Sequence, residues 1–413
     1  MILRRISLAE ARALPFHRRP EFLLALMAAA MPIAFATWSA LLNNYVIEAA
    51  GFTGVEIGWL HSVREIPGFL AVGVIVLLLF IREQVLGLVS LLVLGVFSAL
   101  TGWFTGVAGL LVVTFIASVG FHYYETVNQS LQLQWIDKAR APQVIGRLVA
   151  VGSGASLAAY GLIVLTWSRF ELSYNTVYMV SGGLTALIAV YCMLAFPQIE
   201  APVRQARRMV LRRRYWLYYA LTFMAGARRQ IFMVFAAFMM VERFGFGVPQ
   251  LTALFMLNYL ANMLVAPWIG RFVGRFGEQR AMLIEYAGLA TVFLCYGGLW
   301  WFGWGMTVAA VLYVIDHLFF AMGFNLRTYF QKIADPADFA PTAAVAFTIN
   351  HIAAVFLPAA LGYLWIVSPS SVFLLAAGMA CTSFCLALLV PRHPQPGFET
   401  RLVAIGPRRA PAE

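Results

Sequence analysis

Residues 197–214 read PQIEAPVRQARRMVLRRR, with six arginines, one acidic residue and no sustained apolar run. This stretch divides the chain. Before it lie apolar segments at about 22–48, 56–81, 85–105, 107–134, 144–167 and 174–196; after it lie 215–241, 250–270, 281–303, 305–331, 341–367 and 370–391. Each is close to the roughly 20 mostly apolar residues that cross a bilayer as a helix. Six runs on each side of a basic linker predict an all-α membrane protein with twelve transmembrane helices. The expected organisation is a leading segment 1–21, a six-helix bundle 22–196, the linker 197–214, a second six-helix bundle 215–391 and a tail 392–413.

Composition agrees. Of 413 residues, 62% are hydrophobic and only 11% charged, against about 25% charged in soluble domains. A net charge of +11 can signal nucleic-acid binding, but here the basic residues sit in short connections rather than on an interleaved basic-aromatic surface. They follow the positive-inside pattern. With the N-terminus cytoplasmic, only Arg169 and Arg243 fall in outer loops, and Arg64, Arg228 and Arg229 fall within spans; the other 24 of the 29 Lys and Arg lie on the inner side. Both termini are then expected in the cytoplasm. Arg outnumbers Lys 27 to 2, a composition that suits a GC-rich genome and a bacterial inner membrane. The first apolar run is too long for a cleaved signal and is expected to stay as a helix. Four cysteines, Cys192, Cys295, Cys381 and Cys385, lie inside spans without metal-motif spacing and read as small hydrophobes. No nucleophile triad order, phosphate loop or zinc spacing occurs, and no loop is long enough for a soluble catalytic domain. Neither an enzyme nor a cofactor is expected.

The two halves echo each other. Val46-Ile47-Glu48-Ala49-Ala50-Gly51-Phe52 aligns with Met240-Val241-Glu242-Arg243-Phe244-Gly245-Phe246 at an offset of 194, and Gly120-Phe121 is echoed by Gly323-Phe324. Internal repeats of this kind are common in secondary transporters. The connection between spans 8 and 9 reads Gly270-Arg271-Phe272-Val273-Gly274-Arg275-Phe276-Gly277. It resembles the Gly-x-x-x-Asp-Arg-x-Gly loop of the major facilitator superfamily: Gly270, Arg275 and Gly277 match, and Gly274 replaces the acidic residue. The loop between spans 2 and 3 keeps only Arg82-Glu83. The resemblance implies two six-helix bundles that alternate in facing, with spans 1, 4, 7 and 10 lining a cavity, and Gly270, Arg275 and Gly277 in a gating loop. The Gly-Pro pair in span 5 and the midspan Arg in span 4 of drug/proton antiporters are missing, so drug antiport is disfavoured.

Ionisable residues inside spans are costly, at roughly 2.5–3.5 kcal/mol on insertion scales, and are functional candidates by default. His122, Glu125, Gln129 and Gln132 share one face of span 4, with Tyr124 and Asn128 close by. Span 10 carries Asp316-His317; neighbours about 100° apart cannot both face one cavity squarely. Span 7 carries Arg228-Arg229-Gln230, suited to a carboxylate or phosphate or to pairing with Glu48, Glu65 or Asp316. Span 2 holds His61, Arg64 and Glu65 before Pro67-Gly68, a gate or local charge compensation. His351 with Asn350 in span 11, Asn258 and Asn262 in span 8, and Asn43 and Asn44 in span 1 are weaker candidates. Glu48 and Glu242, at matched outer ends, read as loop or gate contacts.

The leading expectation is a monomeric, proton-coupled secondary transporter of a small polar or amphipathic solute, in particular an organic anion. Glu125 and Asp316 are the expected proton carriers, and Arg228 and Arg229 the attractors. An alternative is transition-metal import, copper-like, through Met233, Met239, Met240, Met256 and Met263 with intramembrane histidines; no tight ligand set is visible, so no metal site is assigned. A non-transporting sensor or assembly protein is the third reading.

Overall fold

A chain immersed in hydrocarbon must satisfy its backbone hydrogen bonds internally, and the apolar runs do so as helices. The computed structural model describes residues 5–70, 73–136, 141–200, 211–335 and 338–402. The middle of the basic linker (201–210) and the end of the tail (403–413) lie outside the described residues. The spanning helices are α1 (Pro20–Glu48), α2 (Gly54–Phe69), α3 (Glu83–Leu100), α4 (Val107–Trp135), α5 (Ala141–Thr166) and α6 (Tyr174–Ala195). They continue with α7 (Arg213–Glu242), α8 (Val248–Phe276), α9 (Glu278–Trp301), α10 (Met306–Ile333), α11 (Phe339–Val367) and α12 (Pro369–Leu388). Eleven are long and apolar enough, among the described residues, to cross a membrane.

The exception corrects the expected span 56–81. α2 ends at Phe69, and a separate short helix follows at Gly73–Leu77. Pro67 removes a backbone donor and crowds the preceding turn. The chain leaves the helix at Leu70, whose N–H still reaches Ile66 O at 2.9 Å. Two further spans are irregular within their length. α7 contains a π-helical segment, Ile231–Ala236, directly after Gln230. α10 contains a 3₁₀ segment, Ala321–Phe324, between Phe320 and Asn325. Such interruptions change which side chains face a given direction and often mark functional positions.

The chain divides into two compact units, one of residues 1–206 with 245–256, the other of 207–244 with 257–413. In the first, α3 packs between α4 and α6, α1 packs on α5 and α6, and α2 lies on α4. Small residues permit the close approach: a methyl on Gly95 would sit 2.5 Å from Ala186 N, the tight contact expected where lipid supplies no hydrophobic drive between helices. Polar ties cross the apolar contacts, with Tyr124 donating to Met27 O and Thr185 to Ala30 O, both at 2.8 Å. In the second unit α9 packs on α12 and α10, and α7 on α11 and α12.

The repeat has a physical basis. Gly51 and Gly245 both adopt left-handed backbone, at φ 64° and 65°, where an L side chain is strained. The glutamates ahead of them differ in partner: Glu48 accepts from Tyr174 at 2.7 Å, Glu242 from Trp365 at 2.8 Å.

A second echo had no counterpart in the sequence reading. Glu83-Gln84 opens α3 and Glu278-Gln279 opens α9, 195 residues later. Each glutamate ties down the C-terminal end of a neighbouring helix. Glu83 accepts from Ser130 at 3.0 Å and Gln134 at 2.5 Å, and Glu278 pairs with Lys332 at 2.7 Å. Each glutamine holds the chain that leaves the last helix of its half. Gln84 bonds Pro197 O and Ile199 N, both at 2.9 Å. Gln279 donates to Leu388 O at 3.3 Å and accepts from Arg401 at 2.8 Å. In the first unit the held segment, Gln198–Ile199, also pairs in parallel with Arg5–Ile6.

Candidate functional site

In the first unit the ionisable residues of α2 and α4 meet. Glu65 is 1% exposed and takes the Arg64 guanidinium, with Arg64 Nε at 3.1 Å. The pair lies on adjacent residues, so the charge compensation is local. Arg64 also sits over the faces of Trp38 and Phe35, at 5.3 and 5.8 Å, a cation–π arrangement. Ser118 of α4 donates to Arg64 O. Phe35, Trp38, Arg64, Thr114, Ser118 and Phe121 line a cavity of about 20 Å³, room for about one water. A carboxylate oxygen of Glu65 lies within 4.8 Å of a ring nitrogen of buried His122. Farther along α4, Glu125 and Asn128 are half-buried and Gln129 is exposed. His61, buried on α2, packs edge-on against Trp38 at 6.0 Å.

In the second unit the two arginines of α7 part ways. Arg228 is 4% exposed; its Nη1 donates to Ser383 of α12, and its Cζ lies 4.6 Å from the centre of the Tyr286 ring. Arg229 is half-buried and donates to Asn350 Oδ1 at 2.9 Å. Gln230 is buried. Asp316 is 1% exposed and lies within electrostatic reach of Arg228. Its neighbour His317 is half-buried against the rings of Phe232 and Phe320. His351 packs its ring 4.1 Å from that of Phe347, and its Nδ1 is 2.9 Å from Phe347 O. This is the environment of a helix histidine satisfied one turn back.

One residue of this group went unread in the sequence. Glu285, on α9, is 4% exposed and within electrostatic reach of Arg228. The signal was available, because Glu285 is an ionisable residue inside an apolar run. It is the one charged residue in the apolar part of its helix, 281–301, without the polar stripe that drew attention to α4.

The expected loop is mostly helix: Gly270, Gly274 and Arg275 lie in the last turns of α8, which runs to Phe276, and only Gly277 separates it from α9. Arg275 lies over the Phe276 ring at 5.4 Å. Gly277 takes φ 83°, which accounts for glycine there. Among the described residues nothing lies within 4 Å of a Cβ added at Gly270 or Gly274.

The comparison with protein families decides what this assembly of helices is. The Major Facilitator Superfamily matches residues 22–356. The chain belongs to this superfamily. It is therefore a multi-pass membrane transporter and not an enzyme. Among solved structures it is similar to the nucleoside transporter NupG, with a TM-score of 0.68 at 17% identity, covering 89% of this chain and 98% of that one. A point variant of NupG gives 0.73 at 15% identity, covering 90% and 99%. A bacterial homologue of the human lysosomal transporter Spinster, inward-facing and occupied, gives 0.63 at 14%, covering 89% and 95%. At these identities the likeness carries the superfamily fold. No curated protein sequence matches the chain.

Proposed function

We propose that this superfamily member moves a small polar or amphipathic solute, with organic anions the leading class, by alternating access coupled to protons. The observation that supports this most is the burial of Glu65, Arg228, Glu285 and Asp316 inside spanning helices, each at 4% exposure or less. Such residues are expensive in a membrane and are kept where a solute or ion needs them. A carboxylate that is protonated in one facing state and ionised in the other biases the equilibrium between the states, and solute binding shifts it further.

Glu125 and Asp316 are the proposed proton carriers. Arg228, engaged with Ser383 and Tyr286, acts as an internal counter-charge, and the half-buried Arg229 provides the attraction for an anion. The protein is proposed to sit as a monomer in a bacterial inner membrane with both termini cytoplasmic, supported by the distribution of arginines. The proposed bundles are 22–196 and 215–391.

The test is solute-dependent proton flux in liposomes holding the purified protein. The panel contains organic anions and nucleosides, the latter because NupG is described as a nucleoside transporter. Wild type is compared with Glu125→Gln and Asp316→Asn. Solute uptake with proton flux that one substitution abolishes supports the reading. Solute movement without proton flux in any variant overturns the coupling.

A further inference from the structure

We infer that one face of α8 is a binding site for an anionic phospholipid, whose phosphate sits on Arg271 and Arg275 and whose acyl chain lies along the exposed leucines that precede them. The site is independent of the transport reading, and its test needs no solute.

Leu257, Leu260, Leu264, Trp268, Arg271 and Arg275 follow one another at spacings of 3, 4, 4, 3 and 4, so they share one face of the helix. All six belong to the second unit and all six are exposed. The stripe is apolar over its first four positions and cationic over its last two. From Leu257 to Trp268 it rises roughly 16 Å, close to one leaflet's share, about 15 Å, of the hydrocarbon core. An apolar track that ends in two positive charges has the polarity of an anionic amphiphile.

Neither arginine is compensated within the protein. Among the described residues, neither has an ion pair or a hydrogen bond to a carboxylate. Arg271 Nε donates to Pro267 O at 3.4 Å, one turn back. The Arg271 guanidinium lies 4.1 Å from the centre of the Trp268 ring, and that of Arg275 lies 5.4 Å from the Phe276 ring. Ring contacts of this kind hold a guanidinium in place without neutralising it. Glu278, three residues beyond Arg275, is buried and pairs with Lys332. Two guanidiniums one turn apart suit the oxygens of a phosphate.

Gly274 is the reason the charges are left over. It occupies the place of the acidic residue in the superfamily loop pattern. An acid there would stand beside Arg275 and one turn from Arg271, and would give them an internal counter-charge. Glycine gives none. It also leaves room, since nothing among the described residues lies within 4 Å of a Cβ added at Gly270 or Gly274. The two glycines flank the arginine pair on one side of the helix. Phe272 and Phe276, with ring centres 4.7 Å apart, flank it on the other. Basic residues at the end of an apolar span attract anionic lipid headgroups, and the exposed leucines select a lipid over a soluble anion.

The experiment is native mass spectrometry and thermal unfolding of the purified full-length protein in detergent, titrated with phosphatidylglycerol or with phosphatidylcholine of the same acyl chains. Wild type is expected to retain phosphatidylglycerol preferentially, with a saturable rise in Tm. The double variant Arg271→Gln, Arg275→Gln loses that preference, by about five-fold for each arginine, and keeps the wild-type Tm in phosphatidylcholine. Gly274→Asp loses it with both arginines still present, because the new carboxylate competes with the phosphate, and Gly274→Asn keeps it. Equal retention of the two lipids by wild type overturns the site. So does a Gly274→Asp protein that responds as wild type does. A matching loss in Arg18→Gln, Arg19→Gln, which removes two exposed charges elsewhere, marks general surface attraction and also overturns it. A full rise in Tm with inorganic phosphate alone overturns the lipid assignment. If the double arginine variant fails to fold, the Gly274 pair carries the comparison.

Discussion

Arg229 Nη2 donates to Asn350 Oδ1 at 2.9 Å, fastening α7 to α11. The contact is made possible one turn earlier. A methyl group on Gly226 would lie 2.9 Å from Asn350 O, so the helices approach at a glycine and the arginine reaches across. A hydrogen bond to a charged group contributes about 1.5–3 kcal/mol. Asn350→Ala is expected to destabilise the protein by about that amount, read as a lowered unfolding midpoint. Gly226→Val is expected to lower it further, because the whole interface must part. An unchanged midpoint in both variants would show that this contact contributes nothing to stability.

The matched turn glycines make a cleaner case. Gly51 and Gly245 have φ of 64° and 65°, and a Cβ on either would meet nothing within 4 Å. Only backbone strain separates glycine from alanine there. Gly51→Ala and Gly245→Ala should therefore each cost about 1–2 kcal/mol, and should cost the same. A large difference between the two would refute the backbone explanation.

Asp338 precedes α11 and accepts from Arg212 at 3.1 Å, Arg214 at 2.8 Å and Tyr215 at 3.0 Å. Burial pushes its carboxyl up, but the three donors outweigh it and hold the group below the ordinary value of 3.8. A carboxyl depressed in the folded state contributes stability above its unfolded value and loses it as pH falls through the folded one. Wild type and Asp338→Asn should differ most at neutral pH and begin to converge only as pH falls below about 4. A gap in unfolding midpoint that stays constant from pH 6 to pH 3 would count against this.

The Glu278–Lys332 pair has one buried and one half-solvated partner, with side-chain exposures of 4% and 51%. A double-mutant cycle on Glu278→Gln and Lys332→Met should give a coupling of about 0.5–1 kcal/mol, weakened by salt. Its counterpart, Glu83, bonds to the neutral side chains Ser130 and Gln134. The cycle of Glu83→Gln with Gln134→Ala should accordingly be insensitive to salt. Equal salt dependence in the two cycles would mean that the two echoes work by different physics from that described.

Much of this was legible from residues alone, for a local reason. A helix in lipid satisfies its own backbone, so an apolar run of sufficient length announces itself without reference to the rest of the chain. The same holds for Gly51 and Gly245, whose turn requires glycine wherever it is placed. The break of α2 was partly legible in Pro67-Gly68, which was read as a neighbour of the charges rather than as the end of the helix.

Which residues meet was decided by the tertiary structure. Lipid is as apolar as the helices, so hydrophobicity does not choose the face that one helix turns to another; small residues and a few polar contacts do. Length and hydropathy placed Arg228 and Arg229 together in one span, and only packing sent one to Ser383 and the other to Asn350. Packing likewise buried Glu285 of α9 and Asp316 of α10. The sequence alone determined that the chain is a set of membrane helices in two echoing halves. The fold alone decided which of its buried polar groups meet.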